Sequence, residues 1–203
     1  MNKFKIAYLK TLPAKEIESA IKILADKYPD LSFNQKAISY DESIRPDEDY
    51  DLIITSLRDC SGEQFSKIEL ARLPLMVTIL RDIFPSWQQT VEKEELTSFT
   101  CLIPATTEED LSELHYYRDI LKISSKFLAV NSYSEANLLA STDSGYMVIS
   151  EPLAYYASPQ LQKLFLLENG KQVYQDVSLL VASTQLPNEV AEDFGQIVQG
   201  QFN

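Results

Sequence analysis

The feature that most constrains the fold is the opening of the chain, where a strand, an amphipathic helix and a second strand follow closely. The run FKIAYL, from Phe4 to Leu9, has the composition and alternation of a strand. A helix can begin near Pro13 and must end before Pro29, because the residue preceding a proline avoids the α conformation. The run LSFNQKAIS then predicts a second strand. A helix that connects two such strands predicts parallel pairing with a right-handed crossover.

The predicted first helix carries one apolar stripe. Its members follow the spacing of a single helical face and are Ile17, Ala20, Ile21, Leu24 and Tyr28. The opposite side is polar, so this helix is expected to pack on a sheet with one face only.

Predicted strands and helices alternate through the rest of the chain in two blocks, and a strand and a helix are left at the end. We predict separate strands at KIELARL and LMVTIL, one unbroken strand at KQVYQDVSLLVAS, and a helix over TEEDLSELHYYRDILKIS capped by Thr106 or Thr107. The final strand and helix can return to the first block. The expected fold is α/β, with two Rossmann-like lobes whose mixed sheets are joined by two crossover strands, lobe I being 1–82 and 176–203 and lobe II 83–175.

Charge and targeting signals limit the possible partners. The formal net charge is -12, and an acidic chain of this kind is not expected to bind DNA or an anionic membrane surface by itself. The N-terminus lacks the pattern of a secretory signal, and no apolar run approaches the roughly 18 residues that cross a membrane. The sequence therefore predicts a cytoplasmic protein.

No catalytic motif is present in the sequence, and five glycines leave little room for a glycine-rich phosphate loop. The single histidine, His115, lies in a predicted helix and is expected at its solvent edge. Cys101 is expected in the core and Cys60 in a polar loop, which gives neither a disulfide framework nor a metal site. We therefore expect no enzyme activity and no cofactor.

Polar loops follow several of the predicted strands. Most of them contain Ser or Thr, and they read KTL, SYD, TSL, PATT and NSYS. Hydroxyl groups and free backbone N–H groups at helix N-termini suit a polar or anionic small ligand. The alternative role for each Ser or Thr is to cap a helix.

The order of elements and several short motifs resemble the effector-binding (regulatory) domain of LysR-type transcriptional regulators, which has the type 2 periplasmic-binding-protein fold. The likeness covers essentially the whole chain. DYDLIIT resembles the family's lDlaI segment, and LARLPLMVTIL resembles the paired strands that precede the passage into the second lobe. STDSGYMVISE resembles the family's aGxGiaxlP segment, and DVSLLVAS resembles its closing strand. The chain departs from the pattern at YDESIRPDEDYD, where the family usually has a helix and a glycine, and at Asp143 and Ser150, where it usually has glycine and proline.

The resemblance implies ligand contacts in the loops that follow the strands. By position these would be Lys10, Thr11, Leu12, Tyr40 and Thr55 in lobe I and Pro104, Ala105, Thr106 and Ser132 in lobe II. A small molecule bound in the cleft between the lobes would favour one relative setting of them.

The resemblance also implies partners for this domain. The family forms an antiparallel homodimer, in which the first helix of one protomer meets a strand of the other. Its members bind DNA through an N-terminal winged helix-turn-helix, which is expected to be absent from this chain. Two other classes fit the pattern, a solute-binding protein of the same fold and an enzyme on this scaffold.

Overall fold

The structure is a computed structural model that describes residues 2–39, 42–43, 49–56, 65–105, 110–182 and 186–202. Its strands are β1 (Asn2–Leu9), β2 (Leu31–Ile38), β3 (Leu52–Ser56), β4 (Phe65–Leu80), β5 (Thr90–Glu92), β6 (Thr100–Pro104), β7 (Lys126–Val130), β8 (Tyr146–Ser150), β9 (Leu161–Glu168), β10 (Lys171–Gln172) and β11 (Tyr174–Ala182).

The helices lie between these strands. The α-helices are α1 (Ala14–Lys27), α2 (Asp110–His115), α3 (Tyr133–Ala140), α4 (Glu151–Ala154) and α5 (Asn188–Phe202), with a 3₁₀ turn at Lys93–Leu96 and a π-helical turn at Tyr116–Ile120. None of the helices in the described ranges is long and apolar enough to cross a membrane.

The chain divides into two compact units. Unit 1 comprises Met1–Arg72 and Asp176–Asn203, and unit 2 comprises Leu73–Gln175. The two boundaries fall inside β4 and β11, so each of these strands contributes residues to both units.

Unit 1 begins with the β-α-β arrangement that the sequence predicts. β1 pairs in parallel with β2 and with β3, whereas β11 is antiparallel to β3, so this sheet is mixed. The strand order is β2-β1-β3-β11-β4. The predicted parallel pairing of the first two strands is therefore confirmed.

Helix α1 packs against α5 and buries most of the predicted apolar stripe. Ile17, Ala20, Ile21 and Leu24 are all buried, and the helix ends where the Tyr28 N–H donates a hydrogen bond to the Leu24 carbonyl. Pro29 follows Tyr28 directly, in agreement with the prediction that the helix ends before this proline. Pro13 has extended backbone angles and occupies the position just before the helix, so the helix begins next to it as predicted.

The sheet of unit 2 is also mixed. β4 lies between β8 and β9 and is antiparallel to both, while β6 is parallel to β7 and to β8. Two clusters of buried side chains hold this unit together, one containing Val77, Cys101 and Val148 and the other Met76, Leu102 and Met147. Neighbouring residues alternate between the two clusters, as strands covered on both faces require.

The two strands predicted on either side of Pro74 form one continuous strand, β4. Proline lacks an N–H group but fits an extended chain. The ladder resumes at once, because the Leu75 N–H donates a hydrogen bond of 2.9 Å to the Val173 carbonyl. The proline therefore does not end the strand.

The long final strand predicted at KQVYQDVSLLVAS is interrupted, which corrects that prediction. β10 pairs with β9 as a hairpin whose two loop residues, Asn169 and Gly170, have φ values of 53° and 73°. Val173 separates β10 from β11, and its N–H donates to the Leu166 carbonyl. The hairpin thus accounts for the first two residues of the predicted strand.

The helix predicted from Thr107 onward changes its form within the described residues. α2 ends at His115, and the chain continues as a π-helical turn that buries Tyr116 and Tyr117. The predicted caps, Thr106 and Thr107, lie outside the described residues.

Candidate functional site

The loop after β1 holds the first three predicted site residues. The Lys10 N–H donates to the Ile38 carbonyl and the Leu12 N–H to the Leu9 carbonyl, both at 3.0 Å, so the backbone turns tightly here. Leu12 is buried and Lys10 is exposed. The Thr11 hydroxyl is buried and has no hydrogen-bond partner among the residues that the structure describes. A buried hydroxyl without a partner is costly, which makes this one available to a ligand.

The end of β3 lies at the same edge of the unit 1 sheet. β1 and β3 are parallel with Tyr8 opposite Ile54, so the loop after β1 and the last residues of β3 are neighbours. Thr55 is fully buried, and its hydroxyl lies 3.3 Å from that of Ser43. Ser56 is also buried, and its hydroxyl lacks a partner within the described part of the chain. Counting only described residues, this edge therefore presents two unpartnered hydroxyl groups, those of Thr11 and Ser56.

Unit 2 contains a comparable set of strand ends at one edge of its sheet. The parallel strands β6, β7 and β8 end side by side, and the Ala105 N–H donates a hydrogen bond of 2.8 Å to the Val130 carbonyl. Pro104 is half-buried and Ala105 is buried. Ser150 ends β8 with a buried hydroxyl that has no partner in the described ranges. Ligands of open α/β sheets bind beyond such strand ends.

Ser132 occupies the position just before α3. Its hydroxyl accepts a hydrogen bond of 3.1 Å from the Glu135 N–H, and the Glu135 carboxylate accepts hydrogen bonds from the backbone and the side-chain amide of Asn131. Ser132 is thus a helix cap, the alternative role that the sequence left open.

The structure brings together Lys10, Thr11, Leu12 and Thr55 in unit 1, and Pro104, Ala105 and Ser132 in unit 2. Tyr40 and Thr106 lie outside the described residues. Sequence reasoning did not name Ser56 or Ser150 as ligand contacts, although Ser56 lies in the predicted loop TSL. The signal was present, because LIITS and YMVIS are both apolar runs that end in serine.

The ionisable groups of the described residues do not form a catalytic arrangement. His115 is exposed, as expected, and its Nδ1 lies 2.8 Å from Asp119. The pKa of Asp119 is lowered to about 2, first by its hydrogen bond to Arg118 and then by His115. Burial raises the pKa of the Cys101 thiol to about 12, which confirms Cys101 as a core residue. Cys60 lies outside the described residues.

Metal binding is not indicated by the side chains that can be described. Among them, no group of three or more His, Cys, Asp or Glu residues is placed to hold an ion. A buried tyrosine of unit 2 is a hydrogen-bond donor instead. The Tyr117 hydroxyl donates to the Val148 carbonyl at 2.9 Å, and burial raises its pKa well above the usual value. The site therefore offers hydroxyl and backbone groups that bind but do not ionise near neutral pH.

No protein-family model matches the sequence, and no curated protein matches it. Solved structures do match. The effector-binding domain of a BenM variant aligns over 98% of this chain and 94% of its own, with a TM-score of 0.78 and 12% identity. The reduced regulatory domain of OxyR2 from Vibrio vulnificus aligns over 98% and 95%, with a TM-score of 0.75 and 14% identity.

A third match is the regulatory domain of MetR, a LysR family regulator from N. meningitidis. It aligns over 98% of this chain and 93% of its own, with a TM-score of 0.75 and 11% identity. At these identities the likeness establishes the fold. The chain has the fold of LysR-family effector-binding domains, which is type 2 periplasmic-binding-protein-like, and both the predicted fold class and the predicted resemblance are confirmed.

Proposed function

We propose that this chain is the ligand-sensing regulatory domain of a LysR-type transcriptional regulator. The observation that carries the proposal is the match over 98% of the chain to domains that are themselves described as regulatory or effector-binding. A sensing role needs binding groups and no catalytic pair, which fits the hydroxyl and backbone groups of the two strand edges. The proposal is therefore a binding domain and not an enzyme.

The proposed ligand is a small polar or anionic molecule bound by the loops after β1 and β6. Helix α1 begins at Ala14, directly after the loop that follows β1, and the N-terminus of a helix favours a negatively charged group. Thr11 and Ser56 add buried hydroxyls, and Lys10 adds an exposed cation. Tyr40, Thr55, Pro104, Ala105, Thr106 and Ser132 remain the other proposed contacts.

The proposed output is a shift in the population of conformations. Residues 1–82 with 176–203, and residues 83–175, would act as two lobes whose relative setting the ligand biases. That bias would reach a DNA-binding domain outside these 203 residues. The regulator would act in the cytoplasm. The net charge of -12 supports a regulator in which a separate domain, and not this one, contacts DNA.

A thermal-shift screen of polar and anionic metabolites tests the ligand proposal. A ligand present at about a hundred times its Kd should raise the melting temperature by about 5 °C or more. Thr11→Val keeps the shape of the side chain but removes the hydroxyl, so the shift should fall sharply in that variant. Thr90→Val is the matched control, because Thr90 is exposed on β5. An equal shift in both variants would remove Thr11 from the site.

We also propose a homodimer. Ile23 on α1 is 42% exposed, and Leu128 is 45% exposed on β7, which ends the strand order of unit 2. Exposed apolar groups on a helix and on an edge strand are what such an interface would cover.

Light scattering should show a dimer that Ile23→Glu or Leu128→Glu converts to monomer. Leu138→Glu, at an exposed α3 position, should leave the dimer intact.

A further inference from the structure

The turn between β9 and β10 is made by an asparagine followed directly by a glycine, and the sequence contains this pair only once. These residues, Asn169 and Gly170, are the two loop residues of the hairpin, and both are exposed. Their φ values of 53° and 73° are the left-handed angles that such a turn requires and that Asn and Gly adopt most readily. Asn-Gly is also the pair of residues most prone to deamidation, so the turn combines a structural role with a reactive bond.

Deamidation of this pair requires only water as a reactant. The Gly170 nitrogen loses its proton and attacks Asn169 Cγ, which closes a five-membered succinimide. The bond from Cγ to Nδ2 breaks, and the leaving group takes up a proton and departs as ammonia. Water then opens the ring at either carbonyl and leaves aspartate or isoaspartate. No described atom beyond the two chain neighbours lies within 4 Å of where a Cβ of Gly170 would be, so the nitrogen is not shielded by packing.

Glu92 holds the N–H group that this reaction must deprotonate. It is the last residue of β5, which runs parallel to β9 with Glu92 opposite Leu167. Its Oε1 accepts a hydrogen bond of 2.8 Å from the Gly170 N–H. A hydrogen bond to the protonated form of a group and a negative charge beside it both disfavour loss of the proton. The carboxylate therefore opposes formation of the nitrogen anion that attacks Asn169.

The position of Glu92 is fixed by a reciprocal pair of hydrogen bonds at the 3₁₀ turn. The Glu95 carboxylate accepts a hydrogen bond of 2.8 Å from the Glu92 N–H, and the Glu92 side chain accepts one from the Glu95 N–H. This arrangement is a capping box. The Glu92 carboxylate is thus ordered by its own turn as well as by the hairpin that it contacts.

The strand after the turn carries a side chain that links β10 to two other strands of unit 2. The Gln172 Nε2 lies 3.0, 3.2 and 2.8 Å from the carbonyl oxygens of Leu75, Leu166 and Val173. An isoaspartate adds one carbon to the backbone of the two-residue turn and so shifts Gln172 relative to β9. Its formation should therefore weaken these contacts.

We propose that Asn169 is a deamidation site whose reaction Glu92 restrains by holding the Gly170 N–H. The product is aspartate or isoaspartate at the tip of the hairpin, with ammonia released. None of the residues that carry this proposal is a proposed ligand contact, so it stands or falls independently of the sensing function.

Peptide mapping that resolves asparagine, aspartate and isoaspartate at position 169 tests this proposal on the full chain at mildly alkaline pH. Glu92→Ala should deamidate about tenfold faster than the wild type, because a hydrogen bond to a charged group is worth about that factor. Glu95→Ala is the matched control. It removes the other half of the capping box but keeps the carboxylate that contacts Gly170, so its rate should stay close to that of the wild type.

Circular dichroism checks that each variant is folded, and the wild type in urea gives the rate without the restraint. The proposal is overturned if Asn169 stays intact in Glu92→Ala or if Glu95→Ala accelerates the reaction as much. It is also overturned if the folded wild type reacts as fast as the chain in urea. Deamidated wild type, separated by ion exchange, should melt at a lower temperature than the intact chain, and equal melting temperatures would overturn the link to Gln172.

Discussion

Ser56 and Ser150 each end a buried strand with a hydroxyl that has no partner within the described residues. Folding normally avoids such groups, because a buried donor that loses water and gains no bond costs about 1 to 3 kcal/mol. A ligand oxygen or nitrogen would remove that cost. At the scale of single residues, these hydroxyls are therefore groups on which the proposed binding at the strand ends rests.

Substitution of Ser150 tests this interpretation. In the absence of ligand, Ser150→Ala should leave the free energy of unfolding unchanged or raise it by up to about 1 kcal/mol, because an unsatisfied group is removed. Urea denaturation measures the effect.

Ser125→Ala is the matched control for that substitution. The Ser125 hydroxyl donates to the Leu96 carbonyl at 2.8 Å and lies 2.7 Å from the Tyr146 hydroxyl. Its loss should lower the free energy of unfolding by about 1 to 3 kcal/mol. A similar loss in Ser150→Ala would show that the Ser150 hydroxyl already has a partner.

At this scale, sequence reasoning named some of the buried hydroxyl groups as ligand contacts, which stays a prediction. It predicted Thr11 and Thr55 from loops that follow strands, and both have buried hydroxyls in the structure. It placed Ser56 in the loop TSL and noted Ser150 as a departure from the family pattern, but it named neither residue as a ligand contact. Whether a terminal serine is satisfied depends on neighbouring strands, and that information is absent from a single segment.

Gly145 shows how one element depends on the approach of another. It has a φ of 146° at the start of β8, and a Cβ atom there would lie 2.3 Å from the Thr100 carbonyl oxygen. Gly145→Ala should therefore lower the free energy of unfolding by about 2 to 4 kcal/mol, measured by denaturant titration.

Gly200→Ala in α5 provides the contrast. Among the described residues, no atom outside the adjoining backbone of α5 lies within 4 Å of the added Cβ, so this change should raise stability by up to about 1 kcal/mol. Equal effects at the two positions would contradict the close approach of β8 to Thr100.

Asp193, in α5, links that helix to the end of α1. Its carboxylate accepts hydrogen bonds from the Lys27 ammonium and the Tyr28 hydroxyl, and these two contacts, Lys27 first, lower its pKa. A carboxyl with a lowered pKa stabilises the fold above its unfolded pKa of about 3.9, and that contribution is lost as the pH falls through the folded value.

Thermal unfolding between pH 6 and pH 2 tests this linkage. The wild type should lose more stability over that interval than Asp193→Asn, because the variant has no carboxyl to protonate at this position. Glu192→Gln, one residue away and exposed, should follow the wild type. Parallel pH profiles for the wild type and Asp193→Asn would contradict the proposed linkage.

Elements were predictable where the signal was local. The stripe of α1 and its end before Pro29 follow from spacing and backbone geometry alone. The Asn169–Gly170 hairpin was also readable, since Asn-Gly is the preferred sequence of a two-residue turn with positive φ, and sequence reasoning overlooked it. The π-helical turn at Tyr116–Ile120 was not readable, because its conformation accompanies the burial of two adjacent tyrosines.

At the scale of the whole molecule, the order of strands and helices carried the prediction. Each motif of the resemblance was short, and no family model matches the sequence, yet the fold aligns over 98% of the chain with known effector-binding domains. Topology is retained when the side chains change, because it depends on which segments are strands and which faces are apolar. The identity of the ligand depends on a few side chains and does not follow from topology.

Amide NMR with the most stabilising compound of the metabolite screen tests the central claim, that this domain senses a small molecule through its strand-end loops. We predict saturable shifts at Lys10, Thr11 and Leu12 and at Ala105 and Ser132. We also predict that these shifts are lost in Thr11→Val and retained in Thr90→Val. A screen in which no compound shifts these amides, or in which the shifts fall only elsewhere in the chain, would contradict the account.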